Sequence, residues 1–338
     1  MSRQRRGIAV IGLGMAVRPH AMCLQDLSER AEVVWAAART QERCAAFAEV
    51  FPFPTITDID QVLADARVEA VVLLTPPDSH DALGKAVLQA GKHLLIEKPV
   101  GLTTSVAEEL RDLAAARNLQ IGVVLQHRFR PASRRLFDLI ASGELGELCA
   151  AHCMIPWWRP QSYYDEPGRG TLARDGGGVL LTQGIHVLDL LRSLVGEIAI
   201  EASTVATTAL HRMETEDHVS ALARFGATRA PGMILATTAC YPGFSERIDL
   251  VFSKATARLE GGSLDLFHQD GRHEKLGEEQ TLGGGADPMA FPRDSHRALI
   301  ADFLDALDQN RRPMVNIDDA IASRRLIDAM LHPPGSTG

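Results

Sequence analysis

The chain is poor in cysteine: Cys23, Cys44, Cys149, Cys153 and Cys240 form an odd, scattered set among 338 residues. Such a set argues against a disulfide framework and for a reducing compartment, the cytoplasm. Positive charge is also short. Lys and Arg number 35 against 43 Asp and Glu, and the net charge of -8 offers nucleic acid no electrostatic footprint. No stretch approaches the ~20 consecutive apolar residues that a membrane span needs. The opening MSRQRRGIAVIGLGMAV imitates a secretory signal, but Gly12 and Gly14 interrupt its apolar run and Arg18-Pro19-His20 follows, so a strand and a loop explain it better. Metal-ligand spacing is missing too. Cys149, His152 and Cys153 fall in a strand pattern that sets the two cysteines roughly 13 Å apart, with the histidine on the other face, which cannot chelate one ion. There is no internal repeat and no low-complexity tract, and only the last six residues read as frayed.

What is present is ordinary soluble composition, 46% hydrophobic and 23% charged, in a chain long enough for two cores. Apolar strand patterns at 7–11, 32–38, 70–74, 93–96 and 121–125 alternate with helical patterns ending at Leu27, spanning Ser79 to Ala90, and running from Thr103 or Thr104 to Arg117. Strand and helix in alternation specify a doubly wound parallel sheet, a Rossmann domain expected over residues 1–126. After a helix at 131–142 the rhythm changes. Runs at 148–155, 198–210, 218–225, 233–240, 248–253 and 257–267 without intervening helices predict a large, mostly antiparallel sheet. Helices at 293–309 and 317–331 close this second α+β domain, expected over 127–338. One face of such a sheet needs cover, and pairing with a second subunit, as a homodimer or homotetramer, is the expected solution.

The chemistry gathers at strand ends, where ligands of open parallel sheets bind. Gly12-Leu-Gly14-Met15 follows the first strand and opens a helix, the context in which glycines let a pyrophosphate approach a helix N-terminus. The third glycine of that fingerprint is absent; Val17 holds its place. The second strand ends in Ala38-Arg39-Thr40 instead of an acid, with Arg43 one turn on. A missing carboxylate and an added guanidinium both favour the 2′-phosphate of NADP, with NAD as the alternative. Thr75-Pro76 leaves the 70–74 strand in extended form toward the crevice, and His80 near the next helix start reads as a cofactor-side contact or a local cap partner. The strand at 93–96 ends in Glu97-Lys98-Pro99, which puts an ammonium at the rim, where it can hold a hydroxyl oxygen during hydride movement. In the second domain Gly176-Gly-Gly178 precedes a helix on which Thr182, His186 and Asp189 recur at helical spacing. The imidazole there suits transfer of an alcohol proton near neutrality.

Taken together these pieces resemble the Gfo/Idh/MocA family, the relatives of glucose-fructose oxidoreductase and inositol dehydrogenase, over nearly the whole chain. The resemblance rests on Gly12-Leu-Gly14-Met15, Thr75-Pro76, His80, Gly91-Lys-His93, Glu97-Lys98-Pro99, Arg128-Phe129 with Pro131, the block from Gly176 to His186, and His296-Arg297 with Asp302-Phe303. It implies an NAD(P)-dependent oxidoreductase acting on a sugar, inositol or related polyol. Lys98 and His186 would be catalytic, Glu97 would lie near the nicotinamide ribose, and the proline peptide would often be cis. The family's Asp four residues before the histidine is missing, and Thr182 adds no charge in its place. The segment Trp157-Trp158-Arg-Pro-Gln-Ser-Tyr163-Tyr164 through Arg169-Gly-Thr171 resembles a loop that closes over sugar, with Trp158, Tyr163, Arg128, Thr182 and Asp189 as expected substrate contacts. Two other readings fit the same motifs. One is a nicotinamide-dependent glycosidase or lyase with no net redox change; the other is a non-catalytic cofactor-binding regulator, against which the presence of both Lys98 and His186 counts.

Overall fold

A computed structural model describes residues 5–14, 16–277 and 293–333, and the chain divides into two compact units. The first comprises residues up to Leu125 together with Arg293–Ile321. The second comprises Gln126–Pro292 and the chain from Ala322 onward. Residues 293–321, expected in the second domain, therefore cluster with the first.

In the first unit, β1 (Arg6–Ile11), α1 (Val17–Asp26), β2 (Ala31–Ala37), α2 (Gln41–Ala48), β3 (Thr55–Ile56), α3 (Ile59–Ala64), β4 (Ala70–Leu73), α4 (His80–Gln89), β5 (His93–Ile96), α5 (Thr104–Ala116) and β6 (Ile121–Val123) alternate. The six strands pair in parallel in the order β3-β2-β1-β4-β5-β6. Ile8 to Ile11, Ala70 to Leu73 and Leu94 to Ile96 are all buried, as expected of strands covered on both faces. Side-chain caps set where two of the helices begin: Thr40 accepts from the Arg43 amide and Asp58 from the Gln61 amide. The two-residue β3 escaped the sequence reading because so short an edge strand shows no period. The strand expected over 121–125 stops at Val123.

The second unit holds α6 (Pro131–Ala141), β7 (Leu148–Pro156), the single turns α7 (Gln161–Tyr164) and α8 (Leu172–Asp175), and α9 (Ile185–Val195). There follow β8 (Ile198–Ala206), β9 (His218–Phe225), β10 (Ala230–Thr237), β11 (Arg247–Phe252), β12 (Ala255–Glu260), β13 (Ser263–His268) and β14 (His273–Leu276). These eight strands form one sheet, β14-β13-β12-β11-β7-β10-β9-β8, antiparallel except where β7 meets β10. The single strand expected over 257–267 is a hairpin, because Gly261 and Gly262 take positive φ and turn the chain between β12 and β13. The run expected to reach residue 210 ends as β8 at Ala206, and the run expected over 233–240 lies three residues earlier as β10.

Of the last two helices, α10 (Asp294–Gln309) belongs to the first unit, and α11 (Ile317–Leu331) begins there and ends in the second. The helical stretch Leu172–Val195 is long and apolar enough to cross a membrane, but 72% of its most apolar window is buried in the protein, which makes it a core helix.

Candidate active site

In the first unit, the site begins where β1 gives way to α1. Gly12 has φ +106, and a Cβ there would lie 2.7 Å from the carbonyl carbon of Leu74 and 2.8 Å from the amide nitrogen of Thr75. Only glycine lets the turn pass this close to the exit of β4. A Cβ on Gly14 would meet nothing within 4 Å, so that side of the turn is open. Ala16 precedes α1 without any side-chain cap, and no acid stands in the first turn, so the helix presents its amides and its positive dipole end to an anion. A dinucleotide pyrophosphate fits this arrangement. Met15, the remaining member of the expected turn, lies outside the described residues. Val17, in the place of the third glycine, is buried.

Arg39 and Thr40 are exposed at the end of β2, where Thr40 begins α2 through its cap bond to Arg43. Thr75 accepts a 2.7 Å hydrogen bond from the Ser79 hydroxyl, while Pro76 is exposed. His80, expected to touch the cofactor, is wholly buried. Its Nδ1 lies 2.9 Å from the Pro99 carbonyl and its Nε2 lies 2.7 Å from the Thr75 carbonyl. It sits between the exits of β4 and β5, and of the two readings open in the sequence, a cofactor-side contact or a local partner, its burial is that of a local partner. Burial pushes its pKa below the ordinary imidazole value, against the pull of those carbonyls and of Glu97.

At the end of β5 the Lys98–Pro99 peptide is cis, Lys98 is half-buried, and Glu97 accepts a 3.2 Å hydrogen bond from the Lys98 amide. The other oxygen of Glu97 lies 2.9 Å from Nε2 of His20, a fully buried residue in the first turn of α1. His20 meets His296 of α10 edge-on, with ring centroids 5.4 Å apart. Burial alone would raise the Glu97 pKa. The hydrogen bond from His20 and the charges of His20, Lys98 and His296 outweigh it and hold the carboxyl down at about 2. His296 goes the other way, pushed down to about 4 by burial and by the neighbouring His20.

These shifts give the unit an acid-sensitive core. Between pH 4 and 6.5 an unfolded His296 is protonated and the native one is not, so the unfolded chain binds more protons and stability rises with pH across that window. The difference is worth ~3 kcal/mol at its full extent. Glu97 adds a loss of the same sign below its ordinary 4.5. His296→Phe, which keeps a ring against His20, is expected to flatten the dependence of unfolding free energy on pH between 6.5 and 4 in urea titrations. An unchanged slope in the variant would contradict the assignment.

In the second unit, the glycine block is shaped by Glu216. Gly176 ends α8 with φ +73, and a Cβ on Gly178 would fall 1.8 Å from the Glu216 carbonyl oxygen. The buried Glu216 carboxylate accepts from the Gly178 amide at 2.9 Å and from the Leu180 amide at 3.2 Å, capping the helical segment that follows. Burial raises its pKa against those amide bonds. Leu180–Gly184 winds as a π turn before α9 begins, and its wider i→i+5 bonding takes Thr182 off the line that a uniform helix would draw through His186 and Asp189. The proton of the Thr182 hydroxyl is shared between the Gly178 carbonyl, at 2.7 Å, and the side-chain oxygen of Gln183.

His186 is half-buried, with its ring 5.0 Å from that of His127 at an interplanar angle of 31°. His127 is itself bonded to Arg130 at 2.7 Å, and Arg130 to the buried Glu246 at 2.6 Å. Arg128 and Asp189, expected to bind substrate, instead hold each other. Arg128 Nε donates to one oxygen of Asp189 at 2.7 Å and Nη2 to the other at 2.5 Å, and Asp189 is fully buried. Ser323 donates to the same carboxylate at 3.0 Å. The expectation for this pair is corrected: it pins residues 126–129 to α9 and so fixes the helix that carries His186.

The aromatic segment divides in two. Trp157 is buried, and the Tyr164 hydroxyl, also buried, lies 2.7 Å from that of Thr238. Trp158 is half-buried, edge-on to Tyr241 with centroids 5.5 Å apart and 5.8 Å from His211, whose ring bonds the buried Asp217 at 2.7 Å. Tyr163, also half-buried, has the Arg169 guanidinium 4.3 Å above its ring, and its hydroxyl accepts from Arg169 at 2.8 Å. Sequence reasoning missed His20, Glu216 and the His127-Arg130-Glu246 chain. His20 left one trace, a titratable residue on the apolar stripe Val17, Ala21, Leu24 of α1.

Comparison with known families decides the chain's relationship. The model described as "Oxidoreductase family, NAD-binding Rossmann fold" matches residues 6–125, and the "GFO/IDH/MocA C-terminal domain" model matches residues 133–258. The chain belongs to the Gfo/Idh/MocA family. It is accordingly an oxidoreductase, a dehydrogenase or reductase with an NAD-binding Rossmann domain. Among members of the family, it is 26% identical to the 1,5-anhydro-D-fructose reductase of Ensifer adhaerens over 86% of this chain and 85% of that protein. It is also 26% identical to the UDP-N-acetylglucosamine 3-dehydrogenase of Acidithiobacillus ferrooxidans, over 95% and 94% of the two. The WlbA dehydrogenase of Bordetella pertussis, solved with NADH and UDP-GlcNAcA, superposes with a TM-score of 0.82 at 25% identity, over 97% of this chain and 96% of that one.

Proposed function

We propose that this oxidoreductase moves a hydride between NADP and a carbon of a sugar, inositol or related polyol derivative, with Lys98 and His186 handling the alcohol proton. The observation that carries the reading is in the first unit: the uncapped N-terminus of α1 behind the Gly12 turn, with the Lys98 amine at the end of β5 in the same parallel sheet. Gly12, Gly14 and the first turn of α1 would hold the pyrophosphate, with Thr75 and Pro76 beside it and Glu97 near the nicotinamide ribose. When bound, the nicotinamide supplies the acceptor or donor of hydride. The residues of the chain bind, orient and move the proton: the Lys98 ammonium holds the substrate oxygen and the His186 imidazole gives or takes its proton. Trp158 and Tyr163 offer aromatic faces to a polyhydroxylated ring. Two of the named relatives act on sugars or sugar derivatives, which supports the substrate class.

For the cofactor, exposed Arg39 at the end of β2, where Ala38 stands in place of an acid, favours a 2′-phosphate, and the nearby Glu42 carboxylate is engaged by the Thr40 side chain. Arg39→Asp is expected to raise the Kd for NADPH by roughly 10-fold to 100-fold relative to NADH, the effect of losing a charge-assisted contact and gaining repulsion. Fluorescence titration of both reduced cofactors checks it, and an unchanged ratio would remove Arg39 from the site. A panel of aldoses, ketoses, inositols and sugar acids, followed by the absorbance of reduced nicotinamide, tests the reaction itself. Turnover of a sugar with no net change in that absorbance would favour redox-neutral chemistry instead.

The same reading places the enzyme in the cytoplasm, supported by five free cysteines, and pairs it with a second copy through the open face of the large sheet, where Leu222 and Phe267 are exposed.

A further inference from the structure

We propose that His20 and His80 are positioning residues that clamp the turn carrying Lys98 to the two elements assigned to the dinucleotide, so that docking of the cofactor and placement of the amine are coupled. The inference rests on the cofactor site proposed above. It is carried by what flanks Lys98 on either side. Before it, Glu97 is bonded through one oxygen to His20 at 2.9 Å and through the other to the Lys98 amide at 3.2 Å. After it, the Pro99 carbonyl lies 2.9 Å from Nδ1 of His80. Both histidines are 0% exposed, so water does not compete for either bond.

Each histidine also belongs to an element of the cofactor crevice. His20 lies in the first turn of α1, whose amides face the pyrophosphate position, and the other ring nitrogen of His80 lies 2.7 Å from the Thr75 carbonyl at the exit of β4, so the neutral ring donates its one proton to one of these carbonyls and packs against the other. A pyrophosphate that draws the α1 terminus inward therefore moves His20, and with it Glu97 and the backbone of Lys98. His296, packed edge-on behind His20, supports the ring from α10. Side-chain rotation of His20 would break this connection without disturbing the Gly12 turn.

Separating transmission from simple shielding needs a ligand that grips α1 and lacks both the nicotinamide and its ribose. ADP and its 2′-phosphate are such probes. With them, the rate at which an amine-directed acylating reagent modifies Lys98 is measured by peptide mass spectrometry in wild-type protein, His20→Leu and His20→Gln. In the wild type, saturating probe is expected to change the Lys98 rate ~5-fold, the size of a modest coupling between sites. His20→Leu, which keeps the burial and loses the donor, should bind the probe within ~3-fold of wild type yet show no response at Lys98; His20→Gln, which keeps a donor, should recover part of it. In turnover, His20→Leu should lower kcat by ~100-fold with little change in KM, as expected of a misplaced amine. Glu97→Gln serves as the second variant if His20→Leu fails to fold, and the same loss of response is expected there.

A full Lys98 response in His20→Leu or Glu97→Gln would overturn the clamp and leave the cofactor site standing. So would a wild-type Lys98 indifferent to bound probe. Failure of either probe to bind wild-type protein would instead remove the cofactor assignment, and the clamp with it.

Discussion

Lys98→Met is expected to lower kcat/KM by about 10³-fold while leaving the cofactor Kd within ~3-fold, the largest effect that a single substitution should have on this enzyme short of unfolding it. Methionine keeps the length of the side chain and removes its charge and its three donors. The half-buried turn at the end of β5 keeps the bonds that Glu97 makes to His20 and the Lys98 amide and the contact of the Pro99 carbonyl with His80. What would disappear is the cation proposed to stabilise negative charge developing on the substrate oxygen. If Lys98 and His186 act on one proton, their effects should not add. His186→Leu in the Lys98→Met background should cost less than ~10-fold further, although alone it should cost ~10²-fold or more. Steady-state kinetics on any accepted sugar, with fluorescence titration for the cofactor, checks both parts. Additive losses would mean that the two side chains serve separate steps, and a Lys98→Met enzyme with wild-type kcat would end the assignment.

The parts of this molecule that could be read from its sequence are those whose cause is local. The Gly12 turn shows because a strand pattern, a glycine and a helix pattern follow one another within a few residues, and the alternation up to residue 123 shows because each element carries its own period. Glu97-Lys98-Pro99 was visible because the apolar run of β5 ends abruptly in charge. What could not be read depends on partners distant in the chain. The amphipathic stripe of α10 announces a buried face and not which core receives it, so its place in the first unit came only from structure. His20 and Glu97 are 77 residues apart, and no local pattern links them. The hairpin between β12 and β13 is hidden for a different reason: apolar alternation continues across Gly261-Gly262, so the period points to one strand while only the two glycines mark the turn. Polar residues at helical spacing after a glycine loop suggest a ligand-facing stripe, yet Asp189 and Arg128 answer each other's charge, and Gly178 is small because Glu216 lies against it.

That mutual satisfaction makes Asp189→Ala the most destabilising of the changes considered, with an expected loss of 3–5 kcal/mol, about the cost of breaking a buried ion pair from one side. The carboxylate is 0% exposed and accepts two guanidinium bonds from Arg128 and one from Ser323, with Arg192 3.7 Å away. Removing it strands the Arg128 charge in a site with little access to water, where desolvation is no longer offset. The partners can be removed together at much lower cost. Arg128→Met with Asp189→Leu replaces the pair by apolar side chains and should recover most of the loss, since a buried ion pair is often no more stabilising than well-packed hydrophobic residues. Urea denaturation of the wild type, the single variant and the double variant measures this directly. Activity should report something else. Because the pair anchors residues 126–129 to α9, and the ring of His127 lies 5.0 Å from that of His186, the double variant should regain stability more completely than turnover. A double variant fully active as well as stable would mean that the imidazole is held in place without this anchor. A single variant as stable as wild type would mean that Arg128 finds another counter-charge when Asp189 is gone.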